Sequence, residues 1–285
     1  MITPLVAGRG RPFQQELVAA LRRAGFELDE DDLTELDLDD AYACRQVLTR
    51  SRADIVIDCS GADDVGPGDP RPTPEELSAS ASLAVAAAEH GVHTVLISSA
   101  SVFGGDTRGP RVESDPPSPD TAPAAALATV ERAAARANPD HTIVRSSRLY
   151  GLMWNSPLDE VIRRAQANDP VVVEPRTIAP PTYAPHLASL LVSLVRKPCH
   201  GIIHRAAPGA CDELELTRAV LSLAGLSRHI EPTGKPVPNR VAPVLLASCR
   251  DELPAIPHWR IGLRTCALER DRMLAQDGNR RARRG

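Results

Sequence analysis

Long apolar runs are missing from this sequence. No segment approaches the ~18–20 apolar residues that span a bilayer. The N-terminal MITPLVAGRG has no basic n-region and no long apolar h-region, so neither an anchor nor a signal peptide is expected. Paired cysteines are missing too. Cys44, Cys59, Cys199, Cys211, Cys249 and Cys266 are scattered with no CxxC, which predicts a reduced cytoplasmic chain rather than a disulfide or zinc framework. A clustered basic face is absent at a net charge of −4, so nucleic acid is not an expected partner. The one basic run, Arg280 to Arg284, stands at the C-terminal end and reads as a solvated tail. Aromatics make up 3% of residues, and only two lysines occur, Lys197 and Lys235. No GxSxG elbow, HExxH or Walker loop is present, so the sequence offers no motif for those chemistries.

What is present is an ordinary globular composition, 42% hydrophobic and 25% charged over 285 residues, enough to bury a sizeable core. Short apolar runs alternate with helical patterns. ITPLVAG, FELDEDD, ADIVIDCSG, VHTVLISS and HTIVRSS read as strands, with amphipathic or alanine-rich helices between them. The helix beginning after residue 72 has Thr73 as N-cap and Pro74 at its first position. This alternation predicts an α/β fold, a Rossmann-type doubly wound parallel sheet with helices on both faces. After about Tyr150 the pattern loosens. VVVEP reads as an isolated strand, PTYAPHLASLLVSLVRK as a helix, GIIHRAA as a strand and DELELTRAVLSLAGL as a helix, and residues 231–258 as irregular. The expected organisation is an NAD(P)-binding domain over 1–150, a smaller α/β substrate lobe over 151–270 with segments returning to the main sheet, and a flexible basic tail over 271–285.

Gly8 ends the first strand where a helix begins, the place at which a dinucleotide pyrophosphate sits on backbone N–H groups. About 20 residues on, Asp29, Glu30 and Asp31 are placed for ribose hydroxyls, and an acid there favours NAD over NADP. The glycine loop itself, GRGRPFQ, is poor. A GxGxxG register gives Gly8, Gly10 and Phe13, and a GxxGxxG register gives Gly8, Arg11 and Gln14, so the third glycine is lost in either. Arg9 and Arg11 could contact phosphate directly, or the loop has been released from cofactor duty.

The segments LTELDLDD, LISSASVFGG, ESDPPSPDTAPAAA, RSSRLYG, PTYAPHLASLL and HWRIGL, in this order, resemble those of dTDP-4-dehydrorhamnose reductases, members of the extended short-chain dehydrogenase/reductase superfamily. The resemblance covers about residues 2–264. It implies a nicotinamide cofactor and a nucleotide-linked 4-keto sugar in a cleft between domain and lobe. By the same resemblance Gly8, Asp37 and Leu38 line the cofactor, and Ser60 and Gly61 follow a cofactor-side strand. Ser99 stands for the catalytic Thr or Ser. Val102, Phe103, Tyr150, Trp154, Thr182 and Tyr183 border the substrate.

The departures fall on the chemistry. The resemblance aligns the family's proton-donating tyrosine with Pro123 and its lysine with Leu127. No Tyr-xxx-Lys exists elsewhere, since the residues four after Tyr42, Tyr150 and Tyr183 are Gln46, Trp154 and Leu187. Loss of a positioned acid removes ~10²–10⁴ in rate. The expectation is a reductase-fold protein without standard hydride transfer, an accessory, regulatory or binding protein in a specialised sugar or natural-product pathway. Its partners would be a small-molecule ligand or a partner enzyme, with self-association as a homo-oligomer left open. The alternative is an atypical NAD(H)-dependent reductase or a non-redox acid–base enzyme, using Ser99 with Asp63 or Asp64, or His186 or His204. His186 stands where the family begins a helix with Asp, so helix capping is its structural alternative. No metal is expected.

Overall fold

A computed structural model describes residues 2–8, 11–28, 41–62, 74–104, 109–152, 157–173, 177–226, 230–232 and 243–282. The expected sites Gly10, Asp29, Asp37, Leu38, Asp63, Asp64 and Trp154, with Thr73 and Lys235, lie outside the described residues.

Five parallel strands form the central sheet: β1 (Pro4–Ala7), β2 (Ile55–Asp58), β3 (His93–Ser99), β4 (His141–Ser146) and β9 (Gly201–His204), side by side in that order. All are short and nearly all their residues are buried, because a parallel sheet is covered on both faces. One face packs on α1 (Pro12–Arg23) and α6 (Ala184–Arg196), burying Val6, Ile57, Ile97 and Val144 with Leu17, Leu187 and Leu191. The other packs on α2 (Ala41–Ser51), α3 (Pro74–Glu89) and α4 (Ala122–Ala137). Alanines line α3 and α4 where these helices meet, and small side chains let them approach closely.

Local chemistry explains the element ends. Helix α1 starts on Pro12, whose fixed φ suits a first helical position. It ends in a Schellman turn, with Gly25 at φ +85 and the Phe26 amide donating to Leu21 O. Thr121 caps α4 by accepting from the Ala124 amide, and Pro123 sits in the first turn, where no intrahelical N–H is required.

The lobe contains β5 (Leu149–Tyr150) paired with β8 (Thr182–Tyr183), β7 (Thr177–Ile178) paired with β10 (Cys211–Asp212), α5 (Pro157–Gln166) and α7 (Glu213–Leu223). After these segments in sequence, β9 pairs in parallel with β4 in the main sheet.

Three expectations are corrected. Phe26, Glu27 and Leu28, the described part of FELDEDD, belong to no strand, the Phe26 amide being committed to the end of α1. The VVVEP strand is not isolated: β6 (Val171–Val173) pairs in parallel with β11 (Ile230–Pro232), a partner 59 residues away that local pattern does not announce. The segment from 271 is helical through Ala282, because α8 runs over Trp259–Ala282 on a stretch rich in Leu, Glu, Arg, Met and Ala, all good helix formers.

Candidate functional site

The C-terminal ends of β1 to β4 share one edge of the sheet, the edge where open α/β folds bind ligands. Gly8 ends β1 with φ +154, and a Cβ there would stand 3.0 Å from Cys59 Cβ and 3.3 Å from Gln14 Cβ. Only glycine fits between the strand and α1. Gln14, the third-glycine position in the GxxGxxG register, is buried and folds its amide back to donate to Val6 O at 3.1 Å. The Arg11 amide donates to Gly8 O, and Arg11 is half-buried at the N-cap. Pro12 removes one N–H from the helix start that would otherwise face a phosphate.

Ser60 and Gly61 follow β2 and are buried. A Cβ at Gly61 would collide with Ile97 O and stand 2.7 Å from Leu127 Cδ1. Leu127 thus packs against the strand end, 4% exposed and clustered with Leu96, Val102 and Phe103. Ser99 ends β3, is 2% exposed, and its Oγ accepts from the Ser101 amide at 3.1 Å.

A dinucleotide fits this edge in part. The close backbone approach at Gly8 and Gly61 is kept, and a methyl group of Leu127 faces Gly61. No group of His, Cys, Asp and Glu able to hold a metal occurs among the described residues.

The residues expected beside a substrate are committed to protein contacts. Phe103 is 2% exposed. Arg145 Cζ lies 4.9 Å from its ring centre, Arg111 Cζ 5.5 Å, and His204 meets it edge-on at 5.9 Å. Val102 is fully buried. Thr182 Oγ1 bonds Ser147 Oγ at 2.8 Å and accepts from the Ala207 amide at 2.7 Å. Tyr150 and Tyr183 meet with ring centres 5.3 Å apart and planes tilted by 40° beneath α8, where Tyr183 donates to Glu269 Oε2 at 2.6 Å and the Tyr150 hydroxyl has no partner. Burial raises the pKa of both tyrosines, away from proton donation at neutral pH.

His186 does not cap α6. It occupies the first turn, its Nδ1 is buried without a partner, and its ring stands edge-on to Tyr183 at 5.2 Å. Burial lowers its pKa. His204 is structural as well. Its Nδ1 faces the carbonyls of Arg111 and Ala247 at 3.1 and 3.0 Å, so the proton sits there and Nε2 accepts from Arg145 Nη1 at 3.3 Å.

Sequence reasoning missed the polar network under this edge. Arg145 of β4 grips Glu131 of α4 with both donors of one guanidinium edge, at 2.9 and 2.7 Å, with side chains 1% and 4% exposed. Ser98 donates to the same carboxylate at 2.6 Å. It also missed Asp58 at the end of β2, whose Oδ1 accepts from the Ser60 amide while Oδ2 is buried without a partner. A charged residue inside an apolar strand, as in HTIVRSS and ADIVIDCSG, was the signal for both.

The parallel sheet, the lobe after β4 and this strand-end edge define the class, a Rossmann-type α/β protein. Residues 3–251 match the RmlD substrate binding domain, and the chain belongs to that family. It is 27% identical over 279 residues to the spore coat polysaccharide biosynthesis protein SpsK of Bacillus subtilis, covering 95% of this chain and 98% of that protein. To the dTDP-4-keto-6-deoxy-D-glucose reductase of Streptomyces niveus it is 28% identical, covering 84% and 81% of the two chains. The fold is similar to that of the Bacillus anthracis dTDP-4-dehydrorhamnose reductase in complex with NADP, with a TM-score of 0.82 at 21% identity over 94% of this chain and 99% of that one. This is a reductase-fold protein whose relatives act in sugar pathways. No helix among the described residues is long and apolar enough to cross a membrane.

Proposed function

We propose that this protein binds a nucleotide-linked keto sugar at the strand-end edge without reducing it, and serves as an accessory or regulatory partner of a sugar-pathway enzyme. The observation that carries the reading is Leu127 packed on Gly61. An apolar side chain there neither orients a cofactor ribose nor lowers the pKa of a neighbouring acid, and Pro123 has no proton to give. Relatives named as dTDP-sugar reductases support the ligand class.

Purified protein with dTDP-4-keto-6-deoxy-D-glucose and NADH or NADPH should oxidise neither cofactor above background. The sugar nucleotide alone, at about 100 times its Kd, should stabilise the fold by about 2.7 kcal/mol. The double variant Pro123→Tyr with Leu127→Lys should raise cofactor oxidation by ~10² or more over the parent. Parent turnover at ordinary enzymic rates would sink the proposal.

A further inference from the structure

The strand starts form the edge of the sheet opposite the candidate site, and three histidines meet there. His93 begins β3, His141 begins β4, and His200 immediately precedes β9. The His93 and His200 rings stand edge to face with centres 5.5 Å apart. β9 is the outermost strand of the central sheet and its ladder is with β4 alone, so the chain entering it is held from one side.

A relay of hydrogen bonds supplies that hold. The hydroxyl of Thr142, fully buried on β4, donates its one proton to Cys199 O in the loop before β9. His93 Nε2 lies 2.9 Å from the same hydroxyl oxygen. The hydroxyl proton being spent, Nε2–H is the donor, and the free lone pair of the neutral ring is on Nδ1. A proton taken up at Nδ1 turns the half-buried ring into a cation. The groups around it oppose that charge more than they support it. Asp140, before β4, favours it but is drawn to His200, 3.7 Å from Nδ1 of that ring. Asp54, before β2, turns its carboxylate to the Thr3 amide. His90, after α3, is engaged with Ala86 O and Thr49 Oγ1. Arg250 donates to His200 O and brings a fixed positive charge to the loop, and burial keeps the Cys199 thiol neutral. Burial, then His200, with His141 adding to them, lower His93 from 6.5 to about 4. The folded ring therefore binds fewer protons than the unfolded one between those values, and the folded arrangement loses stability as pH falls through that window.

We infer that this cluster is an acid-sensitive latch on β9: protonation of His93 beside His200 drives the ring from its place, breaks the His93–Thr142–Cys199 relay and releases the edge strand while β1 and β2 stay folded. β9 runs directly into His204 and Arg205, which bond Arg145, Ser248 and Arg250, so the release is carried along the strand to the opposite edge. The latch is independent of the sugar-nucleotide reading, since none of its residues stands at the strand ends.

Backbone amide exchange of the full chain, resolved by strand and corrected for the intrinsic effect of pH, tests it. Between about pH 7 and about pH 5 the protection of residues 201–204 should fall ~10-fold or more, and that of residues 55–58 by less than about threefold. His93→Gln keeps a donor for Thr142 but takes up no proton, so it should hold the fall at 201–204 below about threefold. His200→Asn removes the neighbouring ring from an exposed position and should lessen the fall by about twofold. An equal fall in all strands, no fall in β9, or a fall in β9 unchanged in folded His93→Gln or in His200→Asn would each overturn the inference.

Discussion

Helix α4 carries two kinds of surface toward the sheet. From Thr121 to Leu127 it presents a cap, a proline and small or apolar side chains, and Leu127 lies on Gly61. One turn further on, Glu131 is locked to Arg145 and Ser98 in the protein interior. The register of the helix is held by its second half, so the first half can change its chemistry without moving. A fold can thus keep the frame of a reductase while the side chains that the frame would present are different ones.

The comparison is broken most severely at the anchor. Arg145→Met leaves the Glu131 carboxylate buried without its cation and should destabilise the protein by about 3–5 kcal/mol in chemical unfolding. A cost near zero would mean that the ion pair does not hold α4. The matching change in the first half, Leu127→Ala, removes a buried apolar side chain and should cost about 2 kcal/mol, at the low end of such deletions because the strand-end edge can relax around it. If the two costs came out reversed, the helix would be held from its first turns instead.

A smaller effect sharpens the comparison at its periphery, where Glu113 ties the loop before α4 to β9 and to the segment near Cys249. Burial alone would raise this carboxyl, but its donors, the Ser248 hydroxyl and the amides of Cys249 and His204, outweigh that and hold it at about 2. A carboxyl whose folded pKa is depressed adds stability above its ordinary pKa and loses it as pH falls from about 4.5 toward 2. Solvent screening of this half-exposed group reduces the contribution to about 1 kcal/mol. Glu113→Gln should flatten the acid limb of a stability–pH curve by that amount.

The alternation of strand and helix was legible because buried parallel strands are nearly continuous apolar runs and the turns between them are marked by glycine and proline. The partner of Val171–Val173 was not legible, since pairing over so long a separation leaves no local trace. The helical state of residues 271–282 was not legible because a basic, polar stretch reads equally as a solvated tail. At the site, the absence of Tyr-xxx-Lys could be read from letters alone, and the packing of Leu127 on Gly61 could not, because it joins α4 to the end of a different strand. The position of Arg145 within a buried strand was the readable sign that a counter-charge had to come from another element.

Gly262 gives the last helix a significance beyond its length. A single methyl group at this position would come within 3.0 Å of the Tyr150 hydroxyl and 3.1 Å of Tyr183 Cβ. Helix α8 is therefore seated at the contact distance of bare backbone, like a key cut to one lock. The segment beyond residue 251, where the family match ends, is keyed to the tyrosine pair of the lobe by the one side chain that occupies no space.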